Sequence, residues 1–227
     1  MADAPKRLKS GIPGLDPLIG GGFVENSVNL ITGETGTGKT IFCSQFIKYG
    51  LENKEPAVFI TMEESPEDIK ADAAQFGWDL EKYEKKGLLK LIYHDPVQVN
   101  NLDSVIISEL NNMKAKRLAI DSTSLVALNL DSPAQIRRKL FNIINAIKRN
   151  KSTAIITSEI PEGRKDLSRF GVEEFVVDAV VVLHYLGIGE VSARSLTIRK
   201  MRRTNHGNDV YALDISKGGI IVKKSDV

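Results

Sequence analysis

Short apolar runs recur along the chain at Val28 to Thr32, Ala57 to Met62, Leu88 to Tyr93, Arg117 to Asp121, Thr153 to Ser158 and Ala179 to Leu186. Through residue 158 they alternate with helix-patterned stretches, and this βαβ rhythm predicts a mainly parallel, doubly wound α/β sheet with helices on both faces. The clearest helix follows Ser132-Pro133, a capping residue before a proline, and Ile136, Leu140, Ile143, Ile144 and Ile147 mark its single buried face. Past Ala179 the rhythm changes. Consecutive strand-like runs at Ala179 to Leu186, Ser192 to Met201, Val210 to Ile215 and Gly219 to Lys223, joined by glycine-containing turns, predict a C-terminal antiparallel extension.

With 227 residues, 42% of them hydrophobic, the chain can bury a full core, and no linker or repeat divides it. The expected organisation is a flexible polar tail over residues 1–9, one domain over residues 10–227, and a short charged end from Lys223 to Val227. No signal peptide is visible, and the apolar run from Val176 to Leu186 is short and broken by Asp178 and His184, so a soluble, cytoplasmic chain without membrane contact is expected. A net charge of +2, from 31 basic and 29 acidic residues, gives no general reason for a nucleic-acid partner, although a local basic patch leaves one open. The single cysteine, Cys43, reads as a small core residue, and His94, His184 and His206 lack metal-ligand spacing, so no structural zinc is expected.

One octapeptide carries most of the chemistry: residues 33 to 40 read Gly-Glu-Thr-Gly-Thr-Gly-Lys-Thr, a complete phosphate-binding loop. Gly33, Gly36 and Gly38 let the backbone turn its N–H groups toward a triphosphate, Lys39 reaches the β- and γ-phosphates, and the Thr40 hydroxyl can ligate Mg²⁺. A strand-like run precedes the loop, and Phe42, Phe46 and Tyr49 recur at helical spacing after it, so a helix N-terminus faces the phosphates. Thr35, Thr37 and Ile41 are expected to join these nucleotide contacts. The run Arg117 to Asp121 ends in an acid that can hold the hydration shell of the same Mg²⁺, making Thr40 and Asp121 the expected metal residues.

Further candidates sit where other strands end. Glu63 and Glu64 follow a strand and can orient or deprotonate the attacking water, while Ser65 before Pro66, with Glu67 and Asp68 next, also reads as a helix cap. The hydroxyl of Ser158 can sense a γ-phosphate, or merely polarise a turn. Arg199-Lys200-Met201-Arg202-Arg203 packs cations onto one strand, where period two puts Leu196 and Ile198 on a face with Lys200 and Arg202. Such a strand can be a solvated edge, a nucleic-acid contact, or a source of cationic fingers, Lys200 and Arg202, for a neighbouring subunit's γ-phosphate.

Together these segments resemble a single-domain member of the KaiC family of RecA-like ATPases, from about residue 9 to 223. Beyond the loop, the resemblance rests on Ser10-Gly11-Ile12-Pro13-Gly14-Leu15-Asp16 with Gly20-Gly21-Gly22, on Glu63-Glu64 and on Ile120-Asp121-Ser122. It also includes Arg169-Phe170-Gly171-Val172-Glu173-Glu174-Phe175-Val176 and Lys200-Met201-Arg202-Arg203-Thr204-Asn205-His206. It implies a RecA-like P-loop fold, a homohexameric ring with ATP between subunits, catalysis by Glu63 and Glu64, and contacts in trans from Lys200, Arg202 and His206. Where the clock protein's second domain carries a phosphorylated Ser-Thr pair, this chain has Glu173-Glu174, so the resemblance implies hydrolysis rather than autophosphorylation there. Lys217 stands where an acidic ribose contact is expected.

The leading expectation is a Mg²⁺-dependent ATPase acting as a ring, with a regulatory or signalling role. An ATP-gated scaffold with little turnover and an unidentified protein partner is a second reading. A DNA-binding recombinase paralogue is a third, against which stand the lack of an aromatic-interleaved basic patch and of a helix-hairpin-helix before residue 10.

Overall fold

A computed structural model describes residues 4–127, 130, 132–164, 166–186 and 193–223. Ser192, expected to open a strand, and the ends of both expected tails (Met1 to Asp3 and Lys224 to Val227) lie outside the described residues. In chain order the elements are β1 (Arg7–Leu8), α1 (Leu15–Leu18), β2 (Phe23–Val24), β3 (Val28–Gly33), α2 (Lys39–Glu52), β4 (Ala57–Thr61) and α3 (Pro66–Gln75). They continue with α4 (Glu81–Lys85), β5 (Leu89–Tyr93), α5 (Leu102–Met113), β6 (Arg117–Asp121), α6 (Pro133–Arg149), β7 (Thr153–Glu159) and α7 (Glu173–Val176). The last four are β8 (Ala179–Leu186), β9 (Ala193–Met201), β10 (Val210–Ser216) and β11 (Gly219–Lys223).

Strands β3 to β11 form one nine-stranded sheet in the order β11-β10-β9-β8-β3-β7-β6-β4-β5. From β8 to β5 every pairing is parallel, and β9, β10 and β11 add antiparallel strands at one edge. The expected architecture is therefore present, extension included. Period two sorts each central strand between two cores. Ile31, Phe59, Ala119, Ile155 and Val181 pack with Phe42, Phe46 and Ile47 of α2. Leu30, Val58, Leu118, Ile156 and Val180 pack on the opposite face with Ile106 of α5 and Ile136, Leu140, Ile143 and Ile147 of α6. Burial on both faces is why these strands read as near-continuous apolar runs. Ser132 accepts from the Gln135 amide at 3.3 Å and so starts α6 where the Ser-Pro pair predicts.

The amino-terminal segment departs from expectation. Arg7 and Leu8 pair with Val24 and Phe23, and the Arg7 guanidinium donates to the carbonyls of Ile19 and Gly22 at 2.8 and 3.0 Å, so residues 7 to 9 are held rather than loose. The carbonyl of Lys9 accepts from Arg117 at 2.9 Å, which ties this segment to the sheet. A polar composition suggested a tail, but Arg7 directs donors to backbone carbonyls of the following loop and so anchors it.

Strand β9 holds a second departure. Val180 pairs with Lys200, yet Val181 pairs with Ile198, so Arg199 is an extra residue, a β-bulge. The bulge breaks period two. Ile198 and Met201 both turn into the α2-side core, and Lys200 leaves the face it was expected to share with Leu196 and Ile198. No helix among the described residues is long and apolar enough to cross a membrane.

Candidate nucleotide site

Registry across the sheet brings the chemistry together. Gly33 is level with Glu159 on β7, and Thr61 is level with Asp121 on β6, so the phosphate loop, Glu63-Glu64 and Asp121 leave the sheet at one carboxyl edge. That edge is where open α/β sheets bind ligands. A cleft of about 470 Å³ lies there, lined by Thr35, Gly36, Gly38, Lys39, Thr40 and Ile41 from the loop, together with Glu63, Glu64 and Asp121.

The loop holds its shape by glycine and by self-bonding. Gly38 has φ +102°, which L side chains rarely adopt, and a Cβ there would meet Ile215 Cδ1 at 2.9 Å. A Cβ on Gly33 would lie 2.4 Å from the Leu183 carbonyl oxygen, so this glycine serves close strand packing. Thr37 is buried and donates to the Glu34 carbonyl at 2.8 Å; its side chain braces the loop instead of lining the cleft. Lys39 Nζ donates to the carbonyls of Gly33 and Glu34 at 3.1 and 3.0 Å. Burial lowers its pKa, and the nearby carboxylates of Glu159, Asp121 and Glu63 push it back up.

Thr40 Oγ1 donates to Asp121 Oδ2 at 2.6 Å, and Thr157 donates to the other oxygen of the same carboxylate. A hydroxyl and a carboxylate so paired fit Mg²⁺, which keeps most of its waters and takes few protein ligands. Among the described residues no three His, Cys, Asp or Glu side chains form a ready-made metal cage. The two glutamates differ. Glu63 accepts a hydrogen bond from Ser122, which fixes its carboxylate, and its charge reaches Lys39. Glu64 Oε2 is buried without a partner, and burial followed by Asp121, Asp72, Asp68 and Glu63 raises its pKa. Ser65 also caps α3 as expected, in a reciprocal box with Asp68, so the segment serves both as cap and as cleft wall.

Not every expected site residue reaches the cleft. Ser158 is fully buried on the far side of β7, where it donates to Glu173 at 3.0 Å and accepts from the Arg169 amide; Glu159 lines the cleft in its place. Lys200 and Arg202 lie at the opposite edge of the sheet. Gly33 is level with Leu183, and Lys200 pairs with Val180, three residues or about 10 Å back along β8. Lys200 Nζ donates to the carbonyls of Glu174 and Val177, both at 2.8 Å, and Arg202 faces Asp178 at 3.7 Å. The ring of His206 contacts its neighbour's carbonyl, Gly207 O, at 2.8 Å, and Gly207 bonds to Leu18, away from the loop. None of these three lines the cleft of its own chain.

Sequence reasoning missed Arg194, Asp72 and Ile215, all on the cleft wall. Arg194 lies over the Tyr185 ring at 4.8 Å and donates to the Gly36 carbonyl at 3.3 Å. Only the antiparallel return of β9 along β8 brings it to the loop, and no local pattern announces that.

The sequence model of the KaiC ATPase family matches residues 8–227. A UPF0273 protein of Methanocaldococcus jannaschii is 36% identical over 235 residues, covering 96% of each chain. The circadian clock oscillator protein KaiC of Synechococcus elongatus is 36% identical over 225 residues, which span 94% of this chain and 43% of that one. The crystal structure of a KaiC-like protein from Pyrococcus horikoshii superimposes with a TM-score of 0.88 at 42% identity, over 97% of this chain and all of that one. The chain belongs to the KaiC family of ATP-binding RecA-fold ATPases.

Proposed function

We propose that the protein is a Mg²⁺-dependent ATPase whose subunits associate head to tail in a ring, each nucleotide lying between one subunit's phosphate loop and the next subunit's Lys200 and Arg202. The observation that carries this reading is the split constellation. Lys39, Thr40, Glu63, Glu64 and Asp121 share the carboxyl edge, while Lys200 and Arg202 stand at the other edge, out of reach of their own loop. A repeated contact between two different faces closes into a ring when its rotation permits.

In this reading the loop amides and Lys39 hold the β- and γ-phosphates. Thr40 and Asp121 would hold Mg²⁺, which would supply charge neutralisation at the phosphates. Glu63, fixed by Ser122, orients a water in line with the γ-phosphorus and takes its proton as the new P–O bond forms and the bond to the β-phosphate oxygen breaks, releasing ADP and phosphate. Glu64, with its unpartnered oxygen, supplies a second carboxylate to the same water network. Lys200, Arg202 and His206 of the neighbour meet the γ-phosphate.

The acceptor face has suitable chemistry for a second copy. Between α6 and α7 a groove of about 570 Å³ is lined by Arg137, Arg138, Phe141, Lys148, Phe175 and Arg202, with Phe141 and Phe175 exposed to 54% and 59%. That basic, aromatic face complements the acidic cleft carrying Glu63, Glu64, Asp72 and Glu159.

The test is mass by light scattering with and without Mg²⁺ and a non-hydrolysable ATP analogue, alongside phosphate release. A nucleotide-stabilised ring that hydrolyses ATP, and fails to in the Lys39→Ala variant, is the expected result. A monomer that binds ATP without releasing phosphate would overturn it.

A further inference from the structure

Glu173 is 0% exposed, and none of the ion pairs among the described residues involves it. A buried carboxylate is costly unless donors surround it, and here they come from two separate elements. Ser158 of β7 donates to Oε1 at 3.0 Å. Ser168 and the amides of Phe170 and Val172 approach Oε2 at 2.8, 3.3 and 3.2 Å. The carboxylate thus pins the start of α7 to the end of β7.

Helix α7 has only four residues, too few to hold its own position, so its placement follows from its tethers. Beside the bond from Ser168 to Glu174 and the Arg137 guanidinium over the Phe175 ring, a further tether is Lys200, whose ammonium donates to the carbonyls of Glu174 and Val177. An ammonium has three protons. With two directed at α7, the third has a fixed direction for an incoming phosphate oxygen. On the other side, Ser158 follows Thr157, which bonds the Asp121 carboxylate that also holds Thr40. A continuous path therefore runs from the loop's hydroxyl through Asp121, β7 and Glu173 to the finger lysine.

We propose that Glu173 is a positioning residue for Lys200: by tying α7 to β7 it sets the point from which Lys200 meets the neighbouring subunit's phosphate, and it links that finger to its own subunit's nucleotide edge. The inference rests on the proposal that Lys200 acts in trans.

The experiment uses the full chain with Glu173→Gln, whose amide cannot accept on both sides, and Ser158→Ala, a milder variant that removes only the β7 tie and carries the test if Glu173→Gln does not fold. Each is expected to lower kcat for ATP by roughly 10- to 100-fold, as a misplacement near 1 Å does, with KM within about twofold because the phosphate loop is untouched. Each is then mixed with Lys39→Ala subunits, whose pockets are dead but whose fingers are intact, beside a control mixture of Lys200→Ala with Lys39→Ala. Recovery of phosphate release in both mixtures supports the proposal, since a merely unstable subunit would not be rescued. Recovery in the control alone, or wild-type kcat in unmixed Glu173→Gln and Ser158→Ala, overturns it. Failure of the control to recover overturns the trans reading itself, and this inference with it.

Discussion

Replacing Arg202 with alanine separates fold from function sharply, because the structure assigns this side chain almost no stabilising work. Its NH1 lies 3.7 Å from Asp178 with half of the side chain exposed, and a pair of that kind contributes about 0–1 kcal/mol. Asp178 keeps Lys148 Nζ at 2.8 Å and the Val28 amide at 3.0 Å after the substitution. The backbone bond from the Arg202 amide to the Asp178 carbonyl, at 2.9 Å, is indifferent to the side chain. The expected loss in stability is therefore below about 1 kcal/mol, or some 2–4 °C in Tm for a domain of this size. Turnover should respond very differently. An arginine that stabilises transition-state charge on a transferring phosphoryl group contributes about 10³–10⁵ in kcat, or about 4–7 kcal/mol. The assay is phosphate release at saturating Mg²⁺ and ATP, on material shown by light scattering to be assembled, with a thermal melt in parallel. Arg202→Lys should recover only part of the loss, since an ammonium cannot grip a phosphate bidentately. An assembled Arg202→Ala variant within about threefold of wild-type turnover, a barrier change under about 0.7 kcal/mol, would refute the finger assignment.

Glu55→Ala should destabilise the fold by about 3 kcal/mol in urea titrations, because it strands a guanidinium that is 1% exposed; Arg117 keeps carbonyl partners at Lys9 and Phe46, which holds the cost at the low end for a broken buried pair. A change below about 1 kcal/mol would show that those carbonyls and the Phe46 ring suffice. For Glu64 the sign follows from its raised pKa: the folded state binds the proton more tightly, so this contribution to stability is full below the ordinary value of 4.5 and is lost as pH rises through the raised one. Nucleotide-free Glu64→Gln should therefore melt higher than wild type at neutral pH and lack that decline, and a wild-type melting profile across the same pH range would contradict the burial argument. Phe141→Asp combined with Phe175→Ser, both at exposed positions, should leave the subunit folded while reducing its nucleotide-stabilised mass, and an unchanged mass would remove this groove from the subunit contact.

Local rules made much of this protein legible. The loop from Gly33 to Thr40 needs only its own residues to be recognised, and the buried strands announce themselves because both faces of each lie in a core. The Ser132-Pro133 cap and the Ser65 box likewise depend on residues a few positions apart. Features that depend on distant partners escaped. Ser158 looked like a phosphate sensor from its place at a strand end, but its hydroxyl is taken by Glu173, fifteen positions later in the chain. Arg194 reaches the loop only through the return of β9, and the orientation of Lys200 depends on a one-residue bulge at Arg199 that no glycine or proline marks.

That bulge bears directly on how a finger can be built. Without it, strict alternation would place Lys200 on the face of Leu196 and Ile198, against the α2 side of the sheet, where an ammonium would displace core packing. With the extra residue, Met201 takes the core position and Lys200 swings to the face that carries α6 and α7, where two backbone carbonyls receive it. Met201 is thus the anchor of the motif, a buried side chain 6% exposed between two cations. The basic strand is not simply a solvated edge. Its lysine is partly buried, with a pKa lowered by desolvation and by Arg202 beside it, while Asp178 and Glu174 act in the opposite direction. In the proposed ring, a neighbouring triphosphate would bring negative charge to this pair of cations, the complement that Lys200 and Arg202 lack in each other.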